Sequence, residues 1–437
     1  MSEEAEVRLW GRMIGAASLE TGEQTAVFQY TPEFARSAIE VSPLTMPLRP
    51  QAYAFPELSY RSFKGLPGLL ADSLPDRYGN ALIDAWLARQ GREPESANAV
   101  ERLCYTGQRG IGALEFLPYK GPKTTVDEDV QVGRLAELAS RILSDRDGFE
   151  TTLDPGAEED GLGEILSVGS SAGGARAKAM IAWNRETNKI RSGQAPAPSG
   201  FEHWLLKFDG VEESSGREVF AETQGYGAVE YAYSLIARAA GVEMSECRLL
   251  EENGRRHFMT RRFDRPTASG KLHMQSLAAL RHFDFNLPGA YSYEQALRTI
   301  RALGLGMDDV EQQFRRMTFN VVARNQDDHV KNIAFLMDRA GRWSLSPAFD
   351  VTYAFNPRGD FTARHQMSLN GKRDGFAVED FRACAEVVSM KRGRAEEILR
   401  EVSAAVARWD EIAAEVGVRE REAAAIAGTH RLGILPV

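Results

Sequence analysis

The chain has 437 residues, of which 43% are hydrophobic and 26% are charged, a composition typical of soluble globular proteins. This length exceeds what one hydrophobic core usually supports, so we expect two or three cooperating units. The formal net charge of −9 disfavours extended nucleic-acid binding by the chain itself, because a phosphate backbone is held mainly by lysine and arginine.

The cysteines and the apolar runs indicate a cytoplasmic location. Cys104, Cys247 and Cys384 lie far apart and form no CxxC pair, which favours a reducing compartment over a disulfide framework or a structural zinc site. The N-terminus lacks a basic region followed by an apolar core, so no secretory signal is expected. The chain also lacks an apolar run of about 18 residues, and we therefore predict no membrane partner.

The first part of the chain, 1–150, predicts a small antiparallel sheet with accompanying helices. Short runs with alternating apolar residues predict strands, and apolar residues at helical spacing predict helices. In chain order these are strands at 7–10, 13–18 and 26–31, a helix within 66–91, a loop at 92–99, a strand at 110–118 and a helix at 134–144. The acidic, glycine-rich run 154–163 predicts a boundary near residue 150.

Strands dominate the next part, 151–263, and helices dominate the last, 264–437. The predicted elements are a strand, a glycine-rich turn and a second strand within 164–183, a strand at 203–209, a helix at 229–241, a hairpin at 247–263, and mostly helices thereafter. Strands followed by helices predict an α+β protein with two lobes that meet near 263–265.

A polar cluster at 323–332 has the pattern of a catalytic loop. It follows a helix-like run and precedes an apolar strand candidate at 333–338, and loops between rigid elements commonly hold catalytic side chains. Asp327 and Asn332 have the D-x-x-x-x-N spacing of protein kinases, in which the Asp accepts the hydroxyl proton and the Asn binds magnesium. Lys331 would neutralise charge on a transferred phosphoryl group.

Asp350 ends the following run, RWSLSPAFD, which we predict to form a hairpin with 333–338. The hairpin would bring this carboxylate beside Asn332. Magnesium prefers hard oxygen ligands, so an Asp, an Asn and ATP phosphates would complete most of its shell. Val-Thr follows Asp350, so the letters of a kinase DFG motif are missing.

Two other interpretations of the loop remain open. Aspartate and asparagine in a turn commonly cap a helix or bond their own backbone. Asp327, Asp328 and His329 would alternatively bind a transition metal for hydrolysis, although a single histidine supplies few of the ligands that zinc usually has. We favour an orienting role for His329.

Two features of the middle part suit phosphate binding. The glycine-rich turn 167–178 lets main-chain N–H groups approach an anion, although an ordinary hairpin turn is the simpler explanation. Lys207 lies within an apolar strand and needs a counter-charge, for which Glu230 is the candidate and Glu222 a competitor. A solvent-facing lysine on an edge strand would be the structural alternative.

Taken together, these segments resemble the HipA family of bacterial serine/threonine kinases, the toxins of toxin-antitoxin modules. The resemblance extends over most of the chain. It rests on VRLWGRMIG, LPGLLADSLPDRYGN, SSAGGARAK, TRRFDR, NQDDHVKN and SLSPAFDVTY. It implies a two-lobed, protein-kinase-like fold with an added N-terminal subdomain, and ATP and Mg²⁺ as cofactors.

The resemblance also implies roles for individual residues. Asp327 matches the catalytic base, and Asn332 and Asp350 match the magnesium ligands. Nucleotide contacts are implied for Ser171, Gly173, Gly174, Lys178, Lys207, Glu230, Arg261, Arg262 and Phe263. Ser171, or Ser170 beside it, matches the serine that family members autophosphorylate. In the family this autophosphorylation silences the enzyme. The loop here reads Gly-Gly-Ala-Arg-Ala-Lys, which departs from the best-known member, so the resemblance implies this inhibition less firmly than the kinase activity.

The implied partners are a small helix-turn-helix antitoxin of the HipB type and a protein substrate. The substrate of the best-studied member is an aminoacyl-tRNA synthetase. Contact with DNA would be indirect, through the antitoxin. A small-molecule phosphotransferase and a catalytically silent, ATP-binding scaffold for an antitoxin are the alternative functions.

Overall fold

The computed structural model describes residues 2–121, 130–144, 165, 176–194, 197–211, 225–267 and 269–435. Ser170, Ser171, Gly173, Gly174 and Glu222 lie outside the described residues, as do the predicted boundary near residue 150 and most of the strand predicted before the glycine-rich turn. Ile165, the one described residue of that strand, is helical rather than extended.

The N-terminal part forms a four-stranded antiparallel sheet in the order β3-β2-β1-β4. Its strands are β1 (Ser2–Leu9), β2 (Arg12–Glu20), β3 (Val27–Tyr30) and β4 (Leu114–Leu117). Its helices are α1 (Tyr60–Phe63), α2 (Gly68–Ala71), α3 (Arg77–Arg89), α4 (Ala99–Thr106) and α5 (Val132–Ser144). The predicted strands and the helices α3 and α5 are confirmed. The predicted loop 92–99 instead contains a 3₁₀ turn and the first residue of α4.

The middle part is a five-stranded antiparallel sheet in the order β6-β5-β7-β9-β8. The strands are β5 (Lys178–Trp183), β6 (Ile190–Ser192), β7 (Glu202–Lys207), β8 (Cys247–Glu252) and β9 (Arg255–Arg261), and the helix α6 (Tyr226–Ala239) lies between β7 and β8 in the chain. The predicted hairpin is the β8–β9 pair.

One face of this sheet is covered by helices from the N-terminal part. Tyr78 and Leu82 of α3 and Leu135 of α5 share a buried cluster with Trp204 and Leu206 of β7. The side chain of Asp76 accepts a hydrogen bond from the Gly79 main-chain N–H at 2.7 Å and so caps the start of α3. The N-terminal part and the middle sheet therefore share one hydrophobic core.

The C-terminal part is mostly helical and begins with a short three-stranded sheet in the order β10-β11-β12. Its elements are β10 (His273–Ser276), α7 (Leu277–Arg281), α8 (Tyr293–Ala302), α9 (Met307–Val322), β11 (Ala334–Met337), β12 (Trp343–Leu345), α10 (Val378–Val387), α11 (Arg394–Val406), α12 (Trp409–Val416) and α13 (Glu420–Ala427). The predicted β11–β12 hairpin is confirmed, but β12 ends at Leu345, and Asp350 lies in the irregular segment beyond it.

The architecture is α+β, with a β-rich lobe and a helical lobe joined by the segment between β9 and β10. The α6 helix belongs to the large apolar cluster of the helical lobe through residues such as Ala232, Tyr233 and Ile236. Among the described residues, no helix has both the length and the apolar character needed to cross a membrane.

Candidate active site

The loop after α9 displays Asp327 between two anchored neighbours. Gln326 and Asp328 are buried, whereas the side chain of Asp327 is 49% exposed. Gln326 donates from Nε2 to the main-chain oxygen of Thr362 at 3.0 Å. The side-chain amide of Asn332 donates to the main-chain oxygen of Asp327 at 2.8 Å, which fixes the loop and leaves the amide oxygen as its acceptor end.

Asp328 anchors the loop to the protein interior through a buried polar network. Its Oδ2 accepts from Tyr293 Oη at 2.6 Å and from His365 Nδ1 at 2.7 Å, and its Oδ1 accepts from the Gln366 main-chain N–H at 2.7 Å. Burial opposes ionisation of this carboxyl, but His365 and these hydrogen bonds hold its pKa below the usual range. The Gln366 side chain in turn donates to Asp327 Oδ1 at 2.6 Å.

On the opposite side of the site, Lys207 bridges two carboxylates. Its Nζ forms ion pairs with Asp350 and with Glu230, the latter at 2.6 Å. Lys207 ends β7, Glu230 lies in α6, and Asp350 follows β12, so three elements meet at one ammonium group. Burial disfavours the charge on Lys207, but Asp350 and Glu230 raise its pKa above the usual value.

Asp350 has a left-handed backbone conformation, with φ of 54°, which is uncommon for a residue other than glycine. Burial opposes its ionisation, but Lys207 and Lys178 outweigh that effect and lower the pKa of Asp350 to about 2. Asp350 is therefore an anion at neutral pH. Residues in rare backbone conformations are frequent at functional sites.

His329 connects the two sides of the site. Its Nε2 lies 3.8 Å from Asp327 Oδ1, and its ring also contributes to the lowered pKa of Asp350. Asn325 Nδ2 contacts the main-chain oxygen of Asp350 at 3.5 Å. His329 and Asn325 therefore connect the Asp327 loop to the segment that carries Asp350.

Comparison with known proteins identifies the family. The domain described as "HipA N-terminal domain" matches residues 5–117, and the "HipA-like C-terminal domain" matches residues 170–409, more than half of the chain. The chain belongs to the HipA family.

A solved structure agrees with this assignment. The HipA of Shewanella oneidensis MR-1, in a complex with HipB and operator DNA, is 16% identical to this chain, with a TM-score of 0.66 and coverage of 97% of this chain and 94% of that one. At this identity the match establishes the shared HipA fold. The Helicobacter pylori proinflammatory kinase CtkA is 12% identical over 58% of this chain and 93% of its own, but its TM-score of 0.32 does not establish a shared fold. The comparison with curated protein sequences gave no match.

The other residues implied by the HipA resemblance occupy two places. Lys178 begins β5, and Phe263 lies in the segment between the lobes, where its ring packs 5.8 Å from that of Phe349, the residue before Asp350. The Arg262 side chain is buried, and its Nη2 lies 2.7 Å from Asp264 Oδ2. The Nη2 of Arg261 lies 3.4 Å from Glu202 Oε1. Nucleotide contact at Arg262 would therefore come from its main chain.

Lys331 contacts an aromatic ring at the edge of the loop. Its Nζ lies 4.7 Å from the centroid of the Phe285 ring. A cation over an aromatic face is attracted by the ring quadrupole, so Phe285 restrains this lysine beside Asn332.

The residues present fit a magnesium ion that is shared with a nucleotide. Asp350 supplies an ionised carboxylate and Asn332 an amide oxygen, the hard donors that Mg²⁺ prefers. The described residues contain no group of three or more His, Cys, Asp or Glu side chains arranged to hold a metal alone. Such a small donor set suits an ion whose remaining ligands come from phosphates and water.

Sequence reasoning missed several supporting residues. The sequence suggests only a metal-binding role for Asp328, and its partners His365 and Gln366 lie almost forty residues further along the chain. Asp76 was not singled out, yet its Oδ2 lies 3.1 Å from Lys178 Nζ. The polar character of Asp76 at a helix start indicates a cap, but no local signal shows that it also pairs with a lysine about a hundred residues away.

Proposed function

We propose that this HipA-family protein is an ATP- and Mg²⁺-dependent serine/threonine protein kinase that acts as a toxin. The observation that carries the proposal is Lys207, which bridges Glu230 and Asp350 beside the Asp327 loop. In protein kinases a strand lysine pairs with a helix glutamate and binds the ATP phosphates, while an aspartate binds magnesium. We assign these three roles to Lys207, Glu230 and Asp350, which contact one another.

The proposed reaction is an in-line transfer of the γ-phosphoryl group of ATP to a protein hydroxyl. The bond between the hydroxyl oxygen and phosphorus forms as the bond from phosphorus to the β,γ-bridging oxygen breaks, and ADP leaves. Asp327 accepts the hydroxyl proton, and Gln366 orients its carboxylate through the 2.6 Å hydrogen bond to Oδ1. Lys207 and Lys331 supply positive charge where the phosphoryl group moves.

Bound Mg²⁺ would supply charge neutralisation between the phosphates, which is a large part of catalysis in phosphoryl transfer. Asp350 and Asn332 are the residues that would hold it. The ionised state of Asp350 at neutral pH favours this role, since Lys207 and Lys178 keep its pKa low.

The proposed partner is a HipB-like helix-turn-helix antitoxin, with DNA bound through that antitoxin. This proposal is supported by the similarity over 97% of the chain to a HipA found in a complex with HipB and operator DNA. For the substrate we propose a translation protein such as an aminoacyl-tRNA synthetase. Ser171 or Ser170 is the proposed autophosphorylation site.

The proposal is tested by expressing wild type and Asp327→Asn in growing cells and measuring growth and the phosphoproteome. We expect growth arrest and new phosphoserine or phosphothreonine sites with the wild type alone. Purified protein incubated with γ-³²P-ATP, cell extract and a panel of sugars separates the alternatives. Label in a small molecule would identify a small-molecule kinase, and no transfer despite nucleotide binding would identify a silent scaffold.

A further inference from the structure

A basic cavity lies where the N-terminal part, the β-rich lobe and the segment between the lobes meet. Its volume is about 310 Å³. The charged residues among the described residues that line it are Arg109, Arg262, Arg265, Lys271, Arg339 and Glu115. Five cations therefore face one carboxylate, which is unusual in a protein with a net charge of −9.

Part of this positive charge is held by acids in fixed geometry. Asp264 accepts from Arg262 at 2.7 Å and from Arg265 at 2.7 Å, and Lys271 Nζ lies 2.8 Å from Glu115 Oε1. Asp264 and Glu115 offset two of the five lining cations, so three positive charges remain in excess. A cavity lined by one sign of charge concentrates ions of the opposite sign.

The cationic wall is rigid. Arg265 donates to the main-chain oxygens of Gly112 at 2.8 Å and Gly110 at 3.0 Å, and Asp264 accepts from the Gly112 main-chain N–H at 2.8 Å. Trp10 donates from Nε1 to the main-chain oxygen of Lys271 at 2.8 Å. A site whose donors are already fixed loses little conformational entropy when a ligand binds.

Burial, together with neighbouring cations, lowers the pKa of two basic groups in the cavity. Burial and the neighbouring Arg262 lower the pKa of Arg265 to about 10. Burial also lowers the pKa of Lys271, and Arg265 and Arg262 add to that effect, although Glu115 opposes it. A bound anion would relieve this repulsion.

The cavity lining includes Arg262, whose main chain is an implied nucleotide contact, but none of Lys207, Asp327 and Asp350. His203, which also lines it, lies on the same strand and the same face as Lys207 but four residues earlier, a separation of ~13 Å along β7. Five cations would find no opposite charge on a neutral adenine ring. The volume is at the small end for ligand pockets, which excludes a folded partner but suits a compact ligand.

We propose that this cavity binds a small polyanion that carries phosphate groups, at a place distinct from the proposed phosphoryl-transfer site. Arginine presents N–H donors in a planar fork that matches phosphate oxygens, and four of the five cations are arginines, which line the cavity with Lys271 and come from different parts of the chain. The bound ligand bridges the N-terminal part to the segment between the lobes.

Calorimetric titration with inorganic pyrophosphate, in magnesium-free buffer at constant ionic strength, tests the proposal. We expect saturable binding that Lys271→Gln weakens about tenfold and Arg339→Gln about threefold. Arg342→Gln is the matched control for Arg339→Gln, because Arg342 lies in the same turn, is highly exposed, pairs with Asp338 and does not line the cavity. Both arginines are exposed, so these two variants keep the fold, which thermal melting verifies.

Two further arms locate the ligand and identify its chemistry. Lys331→Gln should leave pyrophosphate affinity unchanged, whereas a larger loss in this variant than in Lys271→Gln would place the ligand at the nucleotide site and overturn the proposal. Absence of pyrophosphate binding, or tighter binding of citrate, would overturn it too. Asp327→Asn should bind pyrophosphate like the wild type, so a failure of the proposed kinase activity leaves this result intact.

Discussion

Asp76 and Lys178 form a buried ion pair, with 3.1 Å between Oδ2 and Nζ and side chains that are only 5% and 3% exposed. Asp76 caps α3 in the N-terminal part, and Lys178 begins β5 in the β-rich lobe. Lys178 also helps to lower the pKa of Asp350. The N-terminal part is therefore connected electrostatically to the candidate active site through one lysine.

Asp76→Asn should destabilise the protein by about 3 kcal/mol, because it removes one charge of a buried pair and leaves Lys178 without this partner. Asparagine keeps an acceptor for the Gly79 N–H, so the helix cap is retained. Chemical denaturation measures the change. The control is Asp84→Asn in the same helix, whose pair with Arg102 is partly exposed and should contribute less than about 1 kcal/mol.

A double-mutant cycle with Lys178→Met separates the interaction free energy of the ion pair from the other effects of Asp76→Asn. We expect the double variant to be less destabilised than the two single changes together, since neither buried charge is then left alone. Additive effects would show that the two groups do not interact.

Lys207→Met should cost about 3–5 kcal/mol, because Glu230 is almost fully buried and would lose its counter-charge. Nucleotide binding should fall as well. Combining Lys207→Met with Glu230→Gln should recover part of the stability but none of the nucleotide binding. Denaturant titration and calorimetry with ATP provide the two measurements, and recovery of both would remove Lys207 from the proposed phosphate contacts.

Asp327 and Asp328 are neighbours with different predicted roles. Asp327→Asn should lower phosphotransfer about 100-fold or more and leave stability nearly unchanged, since that side chain is half exposed. Asp328→Asn should destabilise the fold by about 1–3 kcal/mol, because its buried oxygens accept from Tyr293, His365 and Gln366. Kinase assays and thermal melts on both variants check this, and the opposite pattern would reverse the two assignments.

Stability should decrease as the pH falls from 6.5 towards 4, in part because of His257. This fully buried ring accepts a hydrogen bond at Nδ1 from the Asp209 main-chain N–H at 2.9 Å, and burial lowers its pKa to about 4. The unfolded chain binds a proton below its ordinary value of 6.5, whereas the folded chain does not until about pH 4. His257→Gln should flatten this pH dependence by up to about 3 kcal/mol, measured by urea titration across the range. An unchanged slope would exclude His257 as a contributor.

Much of the fold was predictable because local patterns are strong in this chain. Alternation predicts β1, β2 and β7, and helical spacing predicts α3 and α6. The end of the strand before Asp350 was placed wrongly, since the apolar residues after Leu345 suggested a longer strand. Ser346 is the last residue that bonds across the pair, through its N–H to Ala334, and Pro347, which lacks an N–H donor, follows it.

The candidate site was predictable only in part. The D-x-x-x-x-N spacing predicts Asp327 and Asn332 as site residues, and the apolar surroundings of Lys207 show that this lysine needs a counter-charge. The place of Glu230 near the start of a helix favours it over Glu222 as the partner, and Glu230 does pair with Lys207. The roles of Gln366 and His365 depend on contacts between segments almost forty residues apart, which no local pattern encodes.

The sequence by itself determined the order of strands and helices, the loop that carries Asp327, and the kind of chemistry its side chains allow, because these follow from periodicity and residue type. Only the tertiary structure decided that Lys207 joins Glu230 to Asp350, that Asp76 reaches Lys178, and that five cations surround one cavity. Coulomb energy depends on distance and on exclusion of water, and both are set by how distant segments pack.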